Sequence, residues 1–530
     1  MTGSKQQISR STAVFAGGTL FSRALGLVRD MVVAALIPAA ALDAFLLAFK
    51  LPNMLRDMLG EGATNAAFVP VFSQAQEKER PERYRELVAS LLSAMLLLFG
   101  ALTLLGVLVI PFVPDLLGLL RPLTGQPPKD AAQLAATVRL MQWTFPYLFL
   151  IGLAVFAMAP LFTSNHYATP AWSPALLNVA LIACCLFLYD RFENPSWALV
   201  AGVWLGGILQ LGAMFAAMRR HVGVVLPNFH LRDPGILKVA LLLGPVIVGQ
   251  AAGEVNKLVD SLFAYSLEHG TVRALFYANR LIHLPLAIFG IAVSVAILPG
   301  ISRAAARKDD AEIHGTLLHG LRQTFFLVGP AMVGLMVLAP PIVRLLFQRG
   351  EFDPVATQRT ATALRFYAIG LLAFAWVKVC VQGFYAEQNT KTPVIVASGS
   401  MLLNILLNCV LVGPMGFRGL ALSTSVAFTV NFVLLYVLLT DRFGLLWDRD
   451  SARSLVRMLG AIGVMGFVAW AFGSRAESFF GTETLQARAI GALLPIAVAA
   501  LAYLGLCRVF RLEELDHLLS AFRRRIAPSD

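Results

Sequence analysis

TLFSRALGLVRD, Thr19 to Asp30, lies inside a segment (12–37) that otherwise reads as a membrane-spanning helix. It places Arg23, Arg29 and Asp30 where hydrocarbon is expected. A charged side chain at mid-bilayer costs about 2.5–3.5 kcal/mol on insertion scales, so such residues face a partner or a water-filled cavity. The stretch is therefore either a flawed span or one wall of a polar cavity. The rest of the chain decides between the two.

The chain has 530 residues, of which 58% are hydrophobic and 14% charged, against about 25% charged in soluble proteins. Apolar runs of about 20 residues recur from end to end, the signature of a polytopic all-α membrane protein. A soluble helical protein would need polar outer faces, which most of these segments lack, and nothing alternates with the period of two that a membrane β-barrel requires. Hydropathy predicts roughly fourteen segments. The first two, 12–37 and 41–73, are too long and too charged to be plain spans, and Pro38, Pro52, Gly60 and Gly62 predict bends or breaks in them.

The formal net charge is +12. The basic residues sit mostly in short loops, which argues for membrane orientation and against a nucleic-acid partner. With about two dozen Lys/Arg on one side and about ten on the other, the positive-inside rule predicts both termini in the cytoplasm. The short polar start, followed by a charge-interrupted apolar run, does not read as a cleavable signal peptide. Cys184, Cys185, Cys380, Cys409 and Cys507 lie in apolar segments without metal spacing and read as packing residues.

The chain also repeats itself. FVPVFS (68–73) and ILPGIS (297–302) each precede a charged loop, and NHYATP (165–170) is matched by NTKTP (389–393). An Asn-bearing apolar helix follows each of the latter pair, with Asn178 in the first and Asn404 and Asn408 in the second. Six helices per repeat give both copies one orientation, related by a pseudo-two-fold axis along the membrane normal, a transporter layout. The expected organisation is an N-lobe over 1–225, a C-lobe over 226–447, two extra helices over 448–510 and an amphipathic cytoplasmic tail over 511–530.

Intramembrane charge is concentrated. Beyond the opening stretch, the second segment carries Asp43, Lys50, Arg56, Asp57 and Glu61, the seventh Glu254, Lys257 and Asp260, and the eighth Arg273 and Arg280. Snorkelling to the interface explains single residues of this kind; a cluster split between both repeats favours a cationic cavity. Gly26 is expected to bend the first helix and gather its charges. Arginine keeps its charge when desolvated, and its planar fork matches phosphate oxygens, so the expected ligand is a phosphorylated anion. Candidate substrate-binding residues are Arg23, Arg29, Asp30, Arg56 and Arg280, with Asp43, Lys50, Asn53, Glu61 and His283 as cavity support. Glu254 and Lys257 have the spacing to pair with each other. Asp260 with Asn404, Asn408 and Thr424 offers an oxygen set suited to a monovalent cation such as Na+, although hydrogen bonding between helices is the commoner role for such Asn and Thr residues. Gly202-xxx-Gly206 and Gly249-xxx-Gly253 predict close helix packing. No nucleotide-binding loop or catalytic constellation is apparent, so a transporter is expected, with no cofactor beyond a coupling cation (Na+ or H+) or the membrane potential.

SRALGLVRD, followed by DAFLLAFKLPNMLRDMLGEGATNAAFVPVFS, closely resembles the N-terminal signature of the MurJ (MviN) family of lipid II flippases, within the multidrug/oligosaccharidyl-lipid/polysaccharide exporter superfamily. FYANRLIHLPLAIFGIAVSVAILPGIS and LLFQRGEFD resemble its later signatures, and the likeness covers nearly the whole chain. It implies lipid II (undecaprenyl-diphosphate bearing a disaccharide-pentapeptide) as substrate, moved to the outer leaflet of the bacterial cytoplasmic membrane for peptidoglycan synthesis. It also implies a lipid-tail groove on the last two helices, and essential charged positions at Arg23, Arg29, Asp30, Asp43, Arg56 and Arg280. Asn279 and His283 flank Arg280 where some members have acidic residues. Asn408 stands where a second carboxylate would strengthen a sodium site. The expected partners are lipid II, membrane lipids and the wall-synthesis machinery, and a monomer is expected. The alternatives are a flippase for another polyprenyl-diphosphate glycan and a non-transporting membrane scaffold.

Overall fold

A computed structural model describes residues 2–58, 64–78, 80–127, 129–444 and 447–516. The described residues are helical throughout, with no strand. In the first half the helices are α1 (Thr2–Leu36), α2 (Ala39–Asp57), α3 (Val69–Lys78), α4 (Pro81–Val109), α5 (Val113–Leu119), α6 (Arg121–Thr124), α7 (Ala131–Thr144), α8 (Tyr147–Phe156), α9 (Met158–Thr163), α10 (Ala168–Leu188), α11 (Ser196–His221) and α12 (Pro234–Ser266). In the second half they are α13 (Thr271–Pro285), α14 (Ala292–Arg307), α15 (Asp310–Val337), α16 (Ala339–Phe347), α17 (Pro354–Ile369), α18 (Leu371–Ala386), α19 (Lys391–Met415), α20 (Phe417–Phe443), α21 (Arg449–Phe480) and α22 (Leu485–Val509).

Local sequence explains many boundaries. Asp233, Asp353, Asp448 and Thr484 accept the backbone N–H of Gly235, Ala356, Ser451 and Ala487 at 2.8, 2.7, 2.7 and 3.1 Å, capping α12, α17, α21 and α22. Pro234 and Pro354 fill the first helical position, where a missing N–H costs nothing.

Among the described residues, eleven helical runs are long and apolar enough to cross a membrane, or twelve if the bent pair α17–α18 is one span. The expected count is fourteen. α1 and α2 do not meet that measure, because the charges that mark them lower their apolarity. α1 runs from Thr2 to Leu36 through Gly26 without interruption.

The repeat is legible in the element bounds. α3 and α14 end 229 residues apart, at Lys78 and Arg307, and α4 and α15 start 229 apart, at Pro81 and Asp310. α7 and α17 start 223 apart, as do α10 and α19. Among the described residues π-helical turns occur at Thr64–Phe68 and Leu286–Ile291, in the first and second copy respectively. The turns leading into α10 and α19 match bond for bond. Asn165 and Gln388 are left-handed (φ 57° and 59°). His166 and Asn389 donate their N–H to the carbonyls of Leu161 and Phe384 at 2.8 and 2.9 Å, closing the preceding helix by a Schellman pattern. Their side chains then meet the Thr169 and Thr392 hydroxyls at 2.8 and 2.9 Å.

The chain divides into two compact units, 1–272 with 349–352, and 273–348 with 353–530. In unit 1, α1 lies on α10 and α10 on α11. Cβ atoms added at Gly202 and Gly206 would meet the Leu181 and Leu177 Cα atoms at 2.9 Å, so these glycines do permit close packing. At Gly249 and Gly253 an added Cβ would find no described atom within 4 Å. Residues 349–352 close the C-terminal end of α1, where the Glu351 N–H donates to the Ala35 carbonyl at 2.9 Å. Gly350 is left-handed (φ 51°), and a Cβ there would lie 2.1 Å from the Ala35 oxygen.

Unit 2 is built around Ile301, Leu317, Leu321, Val379, Cys380 and Leu439. α21 and α22 pack beside α15, where the Tyr503 hydroxyl donates to the Phe326 carbonyl at 2.8 Å. Of the expected tail, 517–530 lies outside the described residues. Its first part is docked: buried Glu514 accepts from Arg322 at 2.6 Å, with the Ser454 hydroxyl at 3.4 Å.

Candidate functional site

The opening stretch occupies the C-terminal half of α1 in unit 1. Asp30 is 3% exposed, and its Oδ1 accepts from Arg29 Nε at 3.0 Å and Nη2 at 2.6 Å. Residues adjacent in sequence do not face one another on a helix, so the long arginine side chain, not a helix break, curls sideways to make this contact. Arg29 Nη1 donates to Asn178 Oδ1 on α10 at 3.0 Å, and Asn178 Nδ2 donates back to the Ser22 carbonyl at 3.1 Å. The structure thus brings Arg29 and Asp30 together with Asn178. Arg23 is exposed and makes no ion pair among the described residues.

α2 repeats this arrangement. Arg56 Nε and Nη2 donate to Asp57 Oδ1 at 3.1 and 2.7 Å, while Asn53 Nδ2 reaches Asp57 Oδ2 at 3.3 Å. The Tyr147 hydroxyl of α8 lies within electrostatic reach of Arg56. Tyr147, 0% exposed, donates onward to Gln210 Oε1 at 3.2 Å, and Gln210 Nε2 donates to the Ser173 carbonyl at 3.2 Å. Lys50, one turn and a half earlier on α2, is within electrostatic reach of Asp57, Glu254, Lys257 and Asp260. Lys257 pairs with Glu254 at 2.5 Å, as their spacing predicts. Glu61 lies outside the described residues.

Asp43 is 3% exposed and fastens a turn, its Oδ2 accepting the Gly270 N–H at 2.6 Å. Gly270 has φ 86°, a conformation that favours glycine. Lys129 donates to the Leu267 carbonyl of the same turn at 3.2 Å. Burial lowers its ammonium below the ordinary lysine value, against the opposing pull of the Asp43 carboxylate.

In unit 2, Arg280 and His283 lie on α13, the former half-buried and the latter exposed beside the Phe374 ring at 5.8 Å. Asn404 and Asn408 on α19 and Thr424 on α20 form a hydrogen-bonded series: Asn408 Nδ2 to Asn404 Oδ1 at 3.0 Å and Asn404 Nδ2 to Thr424 Oγ1 at 3.3 Å. This is the bonding between helices that Asn and Thr commonly provide. In unit 1, Asn256 Nδ2 meets Asp260 Oδ2 at 3.5 Å. Among the described residues no three His, Cys, Asp or Glu side chains gather as metal ligands.

Sequence reasoning missed Tyr147 and Gln210, and took Asn178 only as a marker of the repeat. The available signal was polarity: each is a hydrogen-bonding side chain in an otherwise apolar helix. What the arrangement can do chemically is present two guanidinium forks, each held by its own carboxylate beside a buried side chain of a second helix.

Comparison with known proteins points the same way. Residues 32–490 match the family model described as lipid II flippase MurJ. A probable lipid II flippase MurJ from Vibrio cholerae serotype O1 is 35% identical over 515 residues, 96% of this chain and 98% of that protein. One from Haemophilus influenzae is 36% identical over 461 residues, 85% and 90% of the two chains. A solved structure titled as lipid II flippase MurJ in an inward closed conformation superposes with a TM-score of 0.76 at 26% identity, covering 94% of this chain and 98% of that one.

Proposed function

The chain belongs to the lipid II flippase MurJ family, and from that premise we propose how its residues serve the movement of lipid II, the undecaprenyl-diphosphate-linked peptidoglycan precursor, from the inner to the outer leaflet. It is a multi-pass protein of the bacterial inner membrane and a transporter, with lipid II as substrate and membrane lipids as surroundings. A bare diphosphate does not cross hydrocarbon, because burying an unpaired charge is prohibitive. The protein's contribution is to exchange the water around the diphosphate for arginine forks. The observation that supports this is the paired arrangement of Arg29–Asp30 and Arg56–Asp57 on two helices that carry charge where hydrocarbon is expected. The Arg29 and Arg56 side chains remain 17% and 30% exposed, held yet accessible.

In this reading Arg29 and Arg56 engage phosphate oxygens, Asp30 and Asp57 orient them, and Arg23 and Arg280 are further phosphate ligands. Translocation proceeds by alternating access, with both termini in the cytoplasm and the prenyl tail in lipid along α21 and α22. The driving force is an ion gradient (Na+ or H+) or the membrane potential, and transport into liposomes under each imposed gradient separates these. The test of the site is Arg29→Lys, Arg56→Lys and Arg280→Lys. Each is expected to reduce lipid II movement in proteoliposomes by at least about tenfold and to impair rescue of a flippase-depleted strain. Normal movement with all three replaced refutes the diphosphate role. Tolerance of alanine at all three, with loops intolerant, favours the scaffold alternative.

A further inference from the structure

The two Arg–Asp pairs share a detail that adjacency alone does not produce. In each, Nε and Nη2 converge on the Oδ1 atom of the next residue, at 3.0 and 2.6 Å for Arg29 and at 3.1 and 2.7 Å for Arg56. In each, a second helix supplies a buried anchor, Asn178 for Arg29 and Tyr147 for Arg56. Asn178 is 7% exposed, and its donation to the Ser22 carbonyl leaves its Oδ1 facing Arg29. The Tyr147 hydroxyl donates to Gln210, which leaves its oxygen able to accept from the nearby Arg56 guanidinium. Gln210, 2% exposed, is fixed in turn by the Ser173 carbonyl. Tyr147 is within electrostatic reach of Arg56 and, more weakly, of Arg29.

We propose that Asn178 and Tyr147 are the positioning residues of this pair: they set the two guanidinium planes before substrate arrives and thereby select a diphosphate over a monophosphate. The proposal rests on the reading of Arg29 and Arg56 as phosphate ligands. An unanchored arginine must lose rotamer freedom on binding, whereas an anchored one has already lost it. A monophosphate needs one fork, in whatever orientation it can reach. A diphosphate gains from two forks only if their separation and planes are held. Arg29 remains able to bind while anchored. Nε, Nη2 and Nη1 each commit one proton, which leaves one N–H on each terminal nitrogen without a partner among the described residues.

The test uses the full chain in lipid nanodiscs, with undecaprenyl diphosphate and undecaprenyl monophosphate as probes in equilibrium binding. Asn178→Ala and Tyr147→Phe are each expected to weaken diphosphate binding about tenfold and monophosphate binding by less than about twofold. A merely structural role would weaken both probes alike. Equal weakening, or unchanged diphosphate binding, overturns the proposal. Arg29→Ala separates the levels: if it leaves diphosphate binding intact, the phosphate reading itself falls. If it weakens binding while Asn178→Ala and Tyr147→Phe do not, only the positioning role falls. Should Asn178→Ala not accumulate as folded protein, Tyr147→Phe, which keeps the buried ring, gives the same ratio at Arg56.

Discussion

Asp30→Asn isolates what a buried carboxylate does for its arginine. The variant keeps the size of the side chain and an oxygen that can accept, but removes the charge facing Arg29. Two hydrogen bonds between opposite charges, at 3.0 and 2.6 Å, become bonds from a cation to a neutral amide oxygen, a loss of about 1–2 kcal/mol for the pair. Arg29, 17% exposed, is then left without its adjacent counter-charge. Removing one partner of a buried ion pair outright costs about 3–5 kcal/mol, the lost bonds included; because the amide still accepts, a cost at the lower end, near 3 kcal/mol, is expected. For a chain of 530 residues that is a fall of about 3 °C in unfolding temperature. The informative step is adding undecaprenyl diphosphate. Its phosphate can supply the missing negative charge, so its affinity should rise about tenfold, which is about 1.4 kcal/mol more stabilisation at a fixed ligand concentration. Thermal unfolding of the purified chain, followed by tryptophan fluorescence with and without ligand, measures both quantities. An unfolding temperature equal to that of the parent, or a ligand-induced shift no larger than the parent's, refutes the reasoning.

Three further outcomes follow from the geometry. Gly350→Ala adds a Cβ 2.1 Å from the Ala35 oxygen in a left-handed turn, and should cost about 2–4 kcal/mol through strain and the lost Glu351 hydrogen bond; an unchanged unfolding temperature contradicts this. Arg322→Ala leaves the 2%-exposed Glu514 carboxylate uncompensated, a cost of about 3–5 kcal/mol, and limited trypsin digestion should then cut at Arg508 or Arg511 sooner than in the parent. His166 stacks on His221 with ring centroids 4.1 Å apart, and burial first, then the His221 charge, lowers its basicity below the ordinary histidine value. The unfolded chain therefore takes up this proton first, and stability falls as pH drops through about 6.5, with no loss above it. His221→Gln should shrink the acid loss between about pH 7 and pH 5, as thermal unfolding across that range would record.

The membrane class and the repeat were legible because both rest on near-continuous patterns. Apolar runs need no partner to be recognised, and an offset of 223 residues is visible in NHYATP and NTKTP alone. The arginines were also legible, as charges where hydrocarbon was expected. Their partners were only partly so. The form of the Asp30 contact was not legible: the Arg29 side chain reaches back to the adjacent carboxylate, a contact that helix spacing does not suggest. Asn178 lies 149 residues from Arg29, and no local rule links them. The glycine pairs show the limit of pattern. Gly202-xxx-Gly206 and Gly249-xxx-Gly253 look alike in sequence, and only the neighbour, α10 in one case and none among the described residues in the other, gives the spacing a use.

The matched turns before α10 and α19 bear on how such a chain tolerates drift. In one copy His166 Nε2 accepts the Thr169 N–H at 3.4 Å, in the other Asn389 Oδ1 accepts the Thr392 N–H at 3.1 Å, and each side chain also meets that threonine's hydroxyl. The requirement inherited by both halves is an acceptor at a fixed place, not a residue type. Exchanging the two side chains between the copies should leave each turn intact, so the duplicated halves can diverge in chemistry while their joints stay interchangeable parts.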